Sequence, residues 1–123
     1  MKVRCEKLIN QITGEPEEIS HWLTIGKVYV VLGVYVFPER DLLFRVMSDE
    51  NVGHPVLANG RQFVTICPKV PSNWIALMEA DGSFYLTPQS WSRKGFWEQY
   101  FDGDAATKKV FLEQKAIIEF EAG

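Results

Sequence analysis

The sequence predicts an α+β domain, a strongly bent antiparallel β-sheet followed by two C-terminal helices, and three observations carry that prediction. First, up to residue 87 short β-branched and aromatic runs alternate with turn dipeptides such as Asn59-Gly60 and Asp81-Gly82. That is the pattern of an antiparallel meander and not of βαβ units. Second, after Thr87 and Pro88 the apolar period changes: Phe96 and Tyr100, and Trp97 and Phe101, stand four residues apart, on adjacent stripes of a short helix. Third, 123 residues with 46% hydrophobic content, eight Phe and four each of Trp and Tyr suffice for one core. Residues 1–123 therefore form one domain, sheet to about 87 and helical over about 88–115.

Taken in order, residues 2–9 alternate, with Val3, Cys5 and Lys7 toward one side and Lys2, Arg4 and Glu6 toward the other, as in a strand with one solvated face. Residues 13–18 join turn formers to three carboxylates and predict an exposed loop leading to Ser20, His21 and Trp22. Residues 26–36 are the strongest strand: period two puts Val28, Val30, Leu32, Val34 and Val36 on one face, Tyr29, Val31, Gly33 and Tyr35 on the other. Gly33 marks a bulge or sharp bend there, the means by which a small sheet curls toward a partly closed barrel. A turn at 38–41 leads to a strand over 42–47, which the polar residues 48–53 end. Shorter strands follow at 55–58, 62–67, 73–78 and 83–86.

Beyond the aromatic helix, Gly103 takes the left-handed conformation that ends it, and Asp104 caps a second helix beginning at Ala105. Phe96, Trp97, Tyr100, Phe101, Val110 and Phe111 pack the helices against the sheet. Residues 116–121 fit either a continued helix or a final strand that places Ile118 and Phe120 together.

Composition narrows the function. With 13 basic against 16 acidic residues and a net charge of −3, the chain lacks the electrostatic footprint of a nucleic-acid binder. The longest apolar stretch, residues 28–37, contains Gly33 and is half the ~20 residues a membrane-spanning helix needs. The first residues lack the apolar run of a secretory signal. These features predict a cytoplasmic protein without membrane contact. Cys5 and Cys67 have no CxxC spacing and are expected as reduced, buried thiols.

His21 and His54 have no Cys or His at metal-ligand spacing, so no metal or cofactor site is expected. Either histidine would serve as general base if the chain were a small hydrolase or nuclease, and a Cys–His dyad is formally available. The carboxylate pairs Asp49/Glu50, Glu79/Asp81 and Asp102/Asp104 have simpler uses as turn or cap residues. No phosphate-binding loop or nucleophile elbow occurs, and no catalytic residue is assigned. What remains is recognition of another protein, with Glu15, Glu17, Glu18, Asp49 and Glu50 as the acidic loop residues placed to meet a basic partner.

Three segments, Trp22-Leu-Thr-Ile-Gly-Lys-Val-Tyr-Val-Val, Pro71-Ser-Asn-Trp74, and Trp91 through Asp104 with its Gly-Phe-Trp-Glu-Gln-Tyr-Phe-Asp-Gly-Asp core, together resemble a family of small bacterial orphan proteins. That family is similar in turn to the immunity proteins of contact-dependent growth-inhibition toxin systems. The Gly-Lys-x-Tyr-x-Val strand, followed by Phe44-Arg-Val-Met-Ser-Asp-Glu and Phe63, also resembles the start of SH3-like barrels. The resemblance implies a binder: an immunity protein that holds the C-terminal domain of a cognate toxin and blocks its active site sterically. The alternative is a binding module or subunit for some other protein.

Overall fold

The computed structural model describes residues 1–51 and 53–123; residue 52, in the turn expected at 48–53, lies outside the described residues. The first half of the chain contributes β1 (Lys2–Cys5), β2 (Leu8–Ile9), β3 (Pro16–Glu17), β4 (Val28–Val30), β5 (Gly33–Val36), β6 (Leu43–Met47) and β7 (Pro55–Asn59). The second half contributes β8 (Phe63–Cys67), β9 (Trp74–Met78), β10 (Phe84–Pro88), α1 (Phe96–Phe101) and α2 (Ala105–Ala122). Every strand pairing is antiparallel. The α+β class follows, strands first and helices last.

The strands form a three-stranded sheet in the order β4-β1-β8, a five-stranded sheet in the order β7-β6-β5-β10-β9, and the small hairpin β2-β3. Among the described residues these sheets do not close into a barrel, so the SH3-like alternative is not formed. The single strand expected over 26–36 is the reason. Val31 donates its amide to the Met1 carbonyl (3.0 Å), whereas Leu32 donates to the Arg45 carbonyl (2.8 Å). One peptide step carries the chain from the first sheet to the second. Val31 and Leu32 are both buried at that step, which cancels the two-face alternation, and Val28 lies 45% exposed while Tyr29 is inside.

The strand expected over 2–9 also divides. The amides of Glu6 and Lys7 both donate to the Gln62 carbonyl (2.8 and 3.3 Å). Two residues therefore oppose one, the chain kinks, and Lys7 turns to solvent.

Cys5 is buried, but Cys67 is only partly so, and both thiols are free. Burial pushes the Cys5 thiol above its ordinary value, with the nearby carboxylates of Asp49 and Glu6 adding to this against the hydrogen bond to the Lys7 carbonyl.

The core lies between the sheets and the helices. Val3, Val31, Leu32 and Val46 meet Trp91, Phe96, Phe111 and Ile118 there, all at 2% exposure or less. Trp91 sits on the 3₁₀ turn Gln89–Ser92 and stacks on Phe111, ring centroids 4.9 Å apart, an arrangement favoured by the quadrupoles of the rings.

At the end of α1 the Asp104 amide donates to the Gln99 carbonyl (3.0 Å) and the Gly103 amide to the Tyr100 carbonyl (3.1 Å). With Gly103 at φ +88°, this is a Schellman closure. The Asp104 carboxylate then accepts from the Thr107 amide (2.9 Å) and hydroxyl (2.6 Å) and caps α2.

Residues 116–121 continue α2, which runs past the limit expected near 115. Thr107, Phe111 and Ile118 form its buried stripe, while Phe120, on another side of the helix, is 87% exposed. Its second half is strapped to the loop before β9: Ser72 donates its amide to Glu121 in the last turn (2.7 Å) and Asn73 its side-chain amide to Gln114 two turns earlier (2.9 Å). Among the described residues no helix is long and apolar enough to cross a membrane.

Candidate functional site

Strand alternation on β6 sends Phe44 and Val46 into the core and Arg45 to the opposite face of the five-stranded sheet. Arg45 is nevertheless only 6% exposed. Its guanidinium lies 3.7 Å from the centre of the Trp97 ring and 4.9 Å from that of Tyr35. Its Nε–H donates to the Tyr35 hydroxyl (3.1 Å) and an Nη1–H to the Pro55 carbonyl (3.2 Å). The Tyr35 hydroxyl is in turn 3.2 Å from the Thr87 hydroxyl.

Gly33 makes this stack possible. It pairs across the sheet with Arg45, and a Cβ placed on it would come within 2.9 Å of the Tyr35 ring. The missing side chain is space for that ring, and the bend expected at Gly33 falls one step earlier in the chain.

Among the described residues no carboxylate lies within ion-pair distance of Arg45. A guanidinium keeps its charge when buried, and removing such a charge from water costs several kcal/mol even after relaxation. Stacking on the half-buried Trp97 ring returns about 1–2 kcal/mol. Two neutral hydrogen-bond acceptors add less than a carboxylate would. The cation is thus held in place but not neutralised.

Arg45 forms part of the wall of a surface cleft of about 630 Å³. Trp97 and Phe101 of the aromatic helix, Trp22 from the loop before β4, and Val56 and Leu57 of edge strand β7 complete its apolar lining, with Glu50 and His54 also on the wall. Phe101, expected among the packing residues, is 56% exposed, and Trp22 is 40% exposed. The two i, i+4 stripes of α1 therefore differ: Phe96 and Tyr100 are buried in the core, whereas Trp97 packs edge-on against Trp91 and Phe111 and also lines the cleft, where Phe101 is exposed. A second cleft of about 280 Å³, bordered by Tyr35, Tyr85 and Thr87, shares Arg45, Leu57 and Trp97 with the first.

The five acidic loop residues are not gathered in one place. Glu15, Glu17 and Glu18 are exposed around the β2-β3 hairpin, where Glu17 accepts from the Asn10 side chain (2.7 Å). Glu50 is at the cleft, its carboxylate 3.8 Å from His54 Nε2. Asp49 is tied into the fold, accepting from the Thr24 hydroxyl (2.6 Å), the Lys27 ammonium (2.5 Å) and the Tyr29 hydroxyl (2.8 Å). Partial burial pushes the Asp49 carboxyl up, but those three donors together outweigh it and hold the group below its ordinary value.

His21 is exposed in its loop and His54 immediately precedes β7. Among the described residues neither imidazole hydrogen-bonds a Cys, Ser or Thr side chain, and no three His, Cys, Asp or Glu residues come together.

Trp22, Arg45, Trp97 and Phe101 are not among the residues that loop acidity singles out. One signal for them is present in the chain: Arg45 is the lone charge inside the run Leu42-Leu-Phe-Arg-Val-Met47, where a strand buried on both faces has no ordinary place for it. Comparison of the chain with protein-family models, with curated proteins and with solved structures gave no match.

Proposed function

We propose that the protein is a protein-binding domain, and that its partner is the C-terminal domain of a bacterial toxin, which it neutralises by covering the active site or substrate groove. The binding reading is carried by one observation: Trp22, Trp97 and Phe101 line a single cleft with Arg45 in its wall. Trp and Arg are the residue types that dominate binding energy when a partner excludes water from them, and exposed apolar surface of this kind marks interaction sites.

The toxin reading is supported by the resemblance of three segments to immunity-like orphan proteins and by the acidic balance of the chain. Glu50 is at the cleft, and the loop that brings Gln11 to it also carries Glu15. Such charges speed encounter with a basic partner more than they add affinity.

The test is co-expression with the C-terminal domain of a secreted toxin encoded beside this chain. The two proteins should co-purify and growth should be restored. Trp22→Ala and Phe101→Ala should each weaken binding about tenfold, which is ~1.4 kcal/mol, measured at a temperature where circular dichroism shows both variants folded. A toxin domain that neither co-purifies nor loses its toxicity sinks the toxin reading. Full affinity in the double variant moves the interface off the cleft.

A further inference from the structure

We infer that Arg45 is the anchor for a carboxylate side chain, an Asp or Glu carried on an extended segment of the protein partner. The inference rests on the protein-binding reading and names the chemistry of the contact. Of the five N–H donors of a guanidinium, two are engaged, by Tyr35 and by the Pro55 carbonyl. The others have no acceptor among the described residues. They are not sealed in, because Arg45 contributes to the walls of both clefts.

The geometry favours an anion with two oxygens. Trp97 and Tyr35 fix the guanidinium before a ligand arrives, and a planar fork held in this way matches a carboxylate bidentately. Exclusion of water by the partner strengthens the pair, working against the carboxylates of Glu50, Glu79 and Glu98 that also border the two clefts.

The occupant is a peptide segment because Arg45, Leu57 and Trp97 border both clefts, so that the one guanidinium is flanked by two neighbouring surface hollows. An extended chain fills both hollows, with its acidic residue over Arg45 and apolar neighbours against Trp22 and Leu57 on one side and Tyr85 on the other. A compact anion would fill only the centre.

The experiment uses a display library of random seven-residue peptides selected on the full chain. Recovered peptides are then compared with their Glu→Gln or Asp→Asn counterparts by calorimetry, and the Arg45 Nε–H resonance is followed by NMR. The selected peptides should share one acidic residue flanked by an apolar one. Replacing the acid should weaken binding at least tenfold, and binding should shift the Arg45 resonance.

Arg45→Met should match or exceed the parent's melting temperature while losing the acidic peptides, as expected for a charge kept for binding. Arg45→Lys, which keeps the charge without the fork, should bind them at least fivefold more weakly. Peptides lacking a common acid, equal binding of the amide counterparts, or a selection without binders would overturn the inference. So would inorganic phosphate shifting the resonance at the concentrations at which the peptides do. None of these results touches co-purification with a toxin domain, so the anchor and the toxin reading fail separately.

Discussion

Asp49 accepts from Thr24, Lys27 and Tyr29 at once, and this fastens the loop after β6 to the segment that leads into β4. The Tyr29 hydroxyl, which also accepts from the Thr24 amide (2.8 Å), is pushed up to about 12, first by burial and then by the neighbouring Asp49. Its folded value therefore lies above the ordinary 10.0. The stabilisation is complete below pH 10 and is lost as pH rises through 12. Urea denaturation between pH 9 and about 12 should show stability falling across that window. Tyr29→Phe should cost about 1.5–3 kcal/mol at neutral pH, as for a hydrogen bond to a charged group. It should also flatten the alkaline decline, leaving a smaller slope from Cys5 and Tyr100, which burial likewise raises. An unchanged alkaline profile in Tyr29→Phe would show that this hydroxyl does not govern it. At this scale the sequence marks Asp49 as acidic and in a loop, and both hold. What it does not display is the Thr24–Lys27–Tyr29 cage, because those donors come from 20 to 25 residues earlier in the chain.

Among elements, the α1–α2 junction is the most legible part of the chain. Its stop and start signals are local: a glycine that tolerates positive φ and an aspartate whose carboxylate reaches three residues ahead. Gly103→Ala, at φ +88°, should cost about 1–2 kcal/mol by forcing a Cβ into the left-handed region. Gly103→Asn should recover part of that, since Asn visits this region more readily; denaturant midpoints compare the two. Equal stability in all three proteins would mean that the junction relaxes into another turn.

Strand boundaries are less legible for an equally physical reason. Residues 28–36 read as one continuous β-former, and nothing within them says that Val31 will bond to Met1 and Leu32 to Arg45. Likewise the spacing of α1 defines two aromatic stripes but not which one meets the core. The positions of Trp91 and Phe111 decide that: stacked on each other, they take Phe96 and Tyr100 into the core and leave room for the edge of Trp97. Phe101 is left to the cleft, and Trp97 is shared between cleft and core.

At the scale of the molecule, composition and turn chemistry are enough for an α+β domain with its helices last. Closure is not legible, because it depends on which strand edges meet, and here the chain leaves the first sheet before that sheet can curl on itself. The cleft was hidden for a related reason. Its walls come from residues near 22, 45, 57 and 97, brought together only by the packed fold. Acidic loops are visible in one dimension, whereas a cleft between a helix and a sheet edge is not.

The passage of the chain between Val31 and Leu32 also governs how the protein comes apart. A nine-residue stretch, 28–36, contributes a strand to each sheet without a linker that could stretch, so neither sheet can open while the other stays intact. The two sheets should behave as one cooperative unit. In native-state hydrogen exchange, the amides of Val31 and Leu32 and those of β1 and β5 should reach a common opening free energy equal to that of global unfolding. A three-stranded sheet that exchanges at a lower energy would show that the step is a hinge instead. Assembly carries the matching constraint: β1 must await β8, some sixty residues later, before its second edge is paired. This points to slow folding dominated by distant contacts.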